Sequence, residues 1–157
     1  MSNEHTVKSY EEELRYLIDS VIKMGSLTES QLVDSMDAVI KVDKDSIDKI
    51  IKSDDEINKF RSKIDTQIMT LLVKRAPMAI DLRETISSLK ISQDLERIGD
   101  LSKSNAKKVK PLPLDLPEEL LGNLKRLGDL VIKQLNDVLD SYAVSYTHLT
   151  LPTICSV

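Results

Sequence analysis

The chain has 157 residues, of which 41% are apolar, 31% charged and 3% aromatic, with four glycines, five prolines and a formal net charge of −4. So few glycines, prolines and aromatics beside abundant Leu, Ile, Asp, Lys and Glu make an all-α composition, since sheets draw on Val, Thr and aromatic residues. The negative balance argues against a broad nucleic-acid footprint, and no apolar run of about 18 or more residues exists to cross a bilayer.

The N-terminus, MSNEHTVKSYEEE, lacks the basic-then-apolar layout of a signal peptide. A single cysteine, Cys155, leaves no intrachain disulfide to form, which fits a cytoplasmic setting. The two histidines, His5 and His148, lie near the ends, and no His or Cys stands between them. Ser-His-Asp and Cys-His catalysis, and zinc sites of the Cys/His kind, are therefore not expected in the body of the chain. A metal bound there would take carboxylates, which suit Mg²⁺, Mn²⁺ or iron.

Apolar residues at Tyr10, Leu14, Leu17, Val21, Met24, Leu32, Met36 and Val39 recur at helical spacing and predict a first helix over 9–42. At about 1.5 Å per residue it is roughly 50 Å long. DKDSIDKIIKSDD (43–55) breaks that pattern. It reads as a short helix around Ile47, Ile50 and Ile51 lying across the bundle, with Ser53 or Asp54 capping the next helix. That second helix runs to about Arg75 on a stripe of Ile57, Phe60, Ile64, Ile68, Leu71 and Leu72. Lys74 and Arg75 suit the negative end of its dipole, and Pro77 stops it. A third helix over 78–108 finishes in AKKVK, again cationic. Three long helices with short connections form an antiparallel bundle, here residues 6–110.

PLPLDLP (111–117) is a linker or sharp corner. Helical pattern resumes at Pro117 with Leu120, Leu121, Leu124, Leu127, Val131, Leu135 and Leu139. This segment, 118–143, repeats the first helix at an offset of 103 residues. Over the 14 positions Met24–Asp37 six are identical: Gly25 with Gly128, Leu27 with Leu130, Gln31 with Gln134, Leu32 with Leu135, Asp34 with Asp137 and Asp37 with Asp140. Two amphipathic helices share apolar phase by default, but phase does not supply the Gly, the Gln and both Asp. The repeat marks the first helix of a second three-helix unit that is incomplete here. Periodicity fades near Ala143, and VSYTHLTLPT resembles a translated sequencing adapter of the transposon-end type. Residues 144–157 are read as a non-native tail in which His148 and Cys155 carry no function.

QDLERIGD (93–100) sets acids inside the third helix. At 100° per residue, Leu82, Ile86 and Leu89 form a stripe that Gln93, Glu96 and Asp100 continue, while Ile91, Leu95 and Ile98 lie roughly on the other side, so the helix is apolar on two sides. In the second helix Asp54, Asn58, Arg61 and Asp65 form a column beside the apolar stripe, with Asp55 and Glu56 nearby. An antiparallel pairing brings Asp54 or Asp55 toward Glu96 and Asp100. From the residues alone these acids are a solvated, salt-bridged face, a carboxylate metal site, or part of a generic helical interaction module. A ferritin-like di-metal enzyme fits worst, because such sites use Glu-x-x-His pairs.

PMAIDLRETISSLKISQDLERIGDLSKSNAKK (77–108) resembles the third helix of the PhoU family of phosphate-signalling proteins, in its DLR and its LERIGD. KSDDEINKF (52–60) is similar to the family's second-helix motif, and the tandem repeat agrees with its two three-helix units. The resemblance spans residues 6–143. It implies a cytoplasmic, non-enzymatic negative regulator that connects the ATPase subunit of a high-affinity phosphate ABC transporter to a sensor histidine kinase. It also implies a homodimer, without nucleic-acid binding or membrane insertion. It further implies metal (Fe, Mn, Mg or Zn) bound through E/D-x-x-x-D motifs, here Glu96 with Asp100 and, in the second helix, Asp54 or Asp55. Asn58 stands where the family usually has Asp, which weakens that set. Asn105 and Thr85 take positions that are usually apolar, and each would cost about 1–3 kcal/mol if buried unpaired. A second carboxylate motif belongs to the two helices missing from the second unit.

Overall fold

A computed structural model describes the backbone of residues 2–75 and 80–150 and the side chains of residues 10–74 and 82–144. Four helices follow in order: α1 (Ser2–Lys41), α2 (Ile47–Arg75), α3 (Ile80–Lys108) and α4 (Glu118–Thr150). The first three pack on one another as an antiparallel bundle, and α4 lies against α1. Among the described residues no helix is long and apolar enough to cross a membrane.

Two apolar clusters fill the bundle. The larger is built around Leu17, Val21, Met24, Ile57, Ile64, Ile68, Leu71 and Leu95. The smaller gathers Ala38, Val42, Ile47, Ile50, Ala106 and Val109 where α1 ends, α2 begins and α3 ends, with Leu112 and Leu116 of the linker packed on it. At the α1–α2 corner the Val42 N–H donates to the Val39 carbonyl and the Asp43 N–H to the Ala38 carbonyl, at 3.4 and 2.9 Å. This pairing is a Schellman closure, and Val42 holds its left-handed position at φ 50°. A β-branched residue is strained there. Burial of Val42 in the smaller cluster offsets that strain.

The helices differ from expectation in two places. The short crossing helix at Ile47–Ile51 does not exist, because α2 is continuous from Ile47. Its cap is Asp43, not Ser53 or Asp54: Asp43 Oδ1 accepts the Asp45 and Ser46 N–H groups at 3.0 and 3.3 Å. The fourth helix continues past Ala143 to Thr150. Of the two apolar sides of α3, the one bearing Leu95 is the better buried, and the Leu82–Ile86–Leu89 line is half-buried or exposed. Leu82 is exposed, and the buried positions are Thr85, Ser88, Ser92, Leu95, Gly99, Ser102 and Ala106. Such small residues let helices approach closely. The hydroxyls of Ser88, Ser92 and Ser102 donate to Glu84, Leu89 and Ile98 carbonyls at 2.8–2.9 Å, so their burial leaves no donor unpaired. The predicted end at Pro77, the predicted start at Met78 and Cys155 fall outside the described residues.

α1 and α4 cross through their glycines. A Cβ on Gly25 would lie 2.5 Å from Leu139 Cδ2, and one on Gly128 would lie 2.6 Å from Met36 Cε. Gly25 and Gly128 are repeat mates, and so are Met36 and Leu139. The contact is therefore reciprocal, each helix receiving a large side chain on the glycine the other also has, as in a two-fold interface. Ser88 and Tyr142 add a hydroxyl–hydroxyl bond of 2.9 Å between α3 and α4. Thr85 is fully buried, whereas half-buried Asn105 lines an apolar groove of about 310 Å³ between α1 and α4.

Candidate functional site

On α2 the core positions follow a regular three–four spacing: Ile47, Ile50, Asp54, Ile57, Arg61, Ile64, Ile68 and Leu71. Asp54 and Arg61 thus hold places where the pattern calls for apolar residues. Asp54 is 1% exposed, and the Arg61 side chain is 13% exposed. They do not form a column beside the stripe, as expected; they are part of it. Asn58 and Asp65 flank them, half-buried.

Each of the two charges meets an opposite charge on α3. The Lys103 ammonium donates to Asp54 Oδ2 and, at 3.2 Å, to Asp100 Oδ1. Asn58 Nδ2 donates to Asp54 Oδ2 at 3.2 Å, and Gln31 Nε2 on α1 donates to Asp54 Oδ1 at 3.5 Å and to the Ile50 carbonyl at 3.3 Å. Two helical turns along, Arg61 pairs with Asp65 in its own helix and approaches Glu96 Oε2 at 3.8 Å through Nε. That separation is too long for a hydrogen bond, and Arg61 Nε is buried without one. The Asp54 rung is the tight one and the Glu96 rung the loose one.

Gly99 makes this polar layer possible. A Cβ there would press on Ile57 Cδ1 at 3.1 Å and Gln31 Oε1 at 3.2 Å, and would approach Asp54 Oδ1 at 3.5 Å. The glycine of LERIGD therefore clears room for a glutamine and an aspartate arriving from two other helices. The layer separates the two apolar clusters. The hydrogen bond to Asp54 raises the Lys103 pKa above its ordinary 10.5; burial opposes this, and Asp100 adds to it.

Of the four acids singled out in the sequence, three converge on this seam and one does not. Asp54, Glu96 and Asp100 line it. Asp55 is exposed, beside Asn58, Lys59 and Ser62. A metal held by these acids, as the resemblance implies, does not fit the donors in this arrangement. Both Asp54 oxygens are engaged by Lys103, Asn58 and Gln31, and Asn58 brings a neutral amide. Among the described residues no group of three or more His, Cys, Asp or Glu is placed to hold a metal ion. Sequence reasoning missed Lys103, Gln31 and the role of Arg61. The signal was present in the three–four spacing of α2, which runs unbroken once Asp54 and Arg61 are admitted to it.

Residues 21–109 match the PhoU domain family. The chain is 39% identical over 143 residues to a phosphate-specific transport system accessory protein PhoU homolog from Caulobacter vibrioides, covering 90% of this chain and 62% of the relative. A homolog of the same name from Rhizobium meliloti is 38% identical over 144 residues, covering 91% and 61%. A third, from Clostridium acetobutylicum, is 33% identical over 138 residues, covering 87% and 63%. The chain thus spans about three fifths of the length of these curated relatives. No solved structure matches it.

Proposed function

Because the chain belongs to the PhoU domain family, we propose that it is part of a regulator of phosphate transport that acts by contact and not by catalysis. The observation that carries this reading is identity of 33–39% to phosphate-specific transport system accessory proteins along about 90% of the chain. In the proposed role the protein stands in the cytoplasm. It docks on the ATPase subunit of a phosphate ABC transporter and on a sensor histidine kinase, and it holds phosphate-starvation genes off while phosphate is plentiful.

The fold supports a binding role through its long helices, whose exposed faces carry both charged and apolar residues. The reciprocal Gly25/Gly128 crossing supports reading α4 as the first helix of a second unit, with 111–117 as the linker between units. The matching faces differ in cover. Leu17 and Met24 are fully buried, whereas their mates Leu120 and Leu127 are 46% and 59% exposed. In the proposed full-length protein two further helices cover that face, and the whole associates as a homodimer.

The test is complementation and capture. A full-length version, expressed in a strain lacking its own copy, restores repression of a phosphate-starvation reporter at high phosphate. The purified protein retains the ATPase subunit and the kinase in pairwise binding assays. A reporter that stays on, with neither partner bound, contradicts the proposal.

A further inference from the structure

The acids of the α2–α3 seam raise a question that the family role does not answer: what neutralises a carboxylate as buried as Asp54. In this chain the cation is a side chain. Lys103 lies between Asp54 of α2 and Asp100 of its own helix, with its own side chain only 25% exposed. Gln31 and Asn58 complete the shell of Asp54. The second rung repeats the arrangement with reversed polarity, a cation on α2 (Arg61) facing an acid on α3 (Glu96).

We infer that Lys103 is the built-in cation of this seam, so that Asp54 and Asp100 are filled by the chain itself and accept a divalent metal only when the lysine ammonium is removed. Two observations carry this. Asp54 sits in a core position of α2, where an unpaired carboxylate is strongly disfavoured. The alternating polarity of the two rungs also fixes direction and register. Asp54 meets Lys103 and Arg61 meets Glu96 only if the start of α2 lies beside the end of α3. Sliding α3 by the one turn that brings Asp100 to the place of Lys103 would set two acids together, which disfavours that register. A metal entering between Asp54 and Asp100 would place its charge on an ammonium already there, so the two cations exclude each other.

The experiment uses the full 157-residue chain and Mn²⁺ as probe, reading thermal unfolding and elemental analysis after dialysis. The chain with native Lys103 is expected to retain no stoichiometric Mn²⁺ and to unfold at the same temperature with and without it. Lys103→Met is expected to unfold at a lower temperature, to retain Mn²⁺, and to recover part of the loss when Mn²⁺ is added. Adding Asp54→Asn to Lys103→Met is expected to restore stability without metal, because the buried charge is gone. Should Lys103→Met not fold, return of the fold in that double variant supports the same assignment. Lys107→Met, on the exposed face, serves as control and stays native in both readouts. Stoichiometric Mn²⁺ on the native chain that is lost in Asp100→Asn overturns the inference. So does a Lys103→Met variant as stable as the native chain, or a double variant as unstable as Lys103→Met.

Discussion

Helices α1 and α4 share an apolar phase, a glycine, a glutamine and two aspartates at an offset of 103 residues, yet they occupy different surroundings. α1 is covered by α2, α3 and α4, whereas α4 packs along α1 and meets α3 through the Ser88–Tyr142 bond. Gln31 is 1% exposed and bonded to Asp54, while its mate Gln134 is exposed. The contrast teaches that pattern sets which face a helix offers and that partners set whether the face is buried. It also isolates what the α2–α3 hairpin adds to α1: two apolar clusters with a charged layer between them.

Truncation of matched residues breaks the comparison most sharply. Met24→Ala is expected to cost about 2–5 kcal/mol in chemical unfolding, as a fully buried side chain leaves a cavity. Leu127→Ala, at the matching and exposed position, should fall within about 0.5 kcal/mol of the native chain. Equal losses at both positions would mean that α4 is as well covered as α1. Next in size is Gly25→Leu, which drives a side chain into Leu139. Overpacking of this kind costs about 1–3 kcal/mol. Here it is expected to unseat α4, read as faster amide exchange over 118–144 with 14–38 still protected.

Much of this contrast was legible in the residues. Long runs of three–four spacing gave α1, the body of α2 and α4, and the repeat gave the glycines that later proved to cross. Two features were not legible. The continuity of α2 through Ser53 is hidden because DKDSIDKIIKSDD breaks the apolar pattern and Ser53 or Asp54 reads as a cap; only Gln31 and Lys103, distant in sequence, make the burial of Asp54 tolerable. Which side of α3 faces inward is not legible, because its buried residues are mostly Ser, Thr, Gly and Ala. Those residues pack by being small and by bonding their hydroxyls to their own helix, so they carry little hydrophobic signal. The candidate site was half legible. The acids were named, and their cations were not.

The glutamine pair sharpens the comparison further. Gln31→Ala removes a donor from Asp54 and from the Ile50 carbonyl and is expected to cost about 1–3 kcal/mol. Gln134→Ala should be silent in the same assay. The smallest effect lies at the corner between α1 and α2. The Ser46 hydroxyl, with the Asp45 and Ser46 N–H groups, holds the Asp43 carboxyl below its ordinary 3.8. A depressed folded-state pKa gives stability that is present above 3.8 and is lost as pH falls through the lower value. Asp43→Asn should therefore lower stability slightly in the neutral region, flatten the acid limb of a stability–pH curve and leave the low-pH end nearly unchanged.

Lys103 is the cation that fills the seam, and nitrogen-15 NMR of side-chain ammonium groups observes it directly. A Lys103 ammonium held by Asp54 and Asp100 should give a resolved, slowly exchanging signal that disappears in Asp54→Asn, while Lys107 exchanges too fast to be seen. A Lys103 signal as fast as that of Lys107, and indifferent to Asp54→Asn, would contradict that assignment.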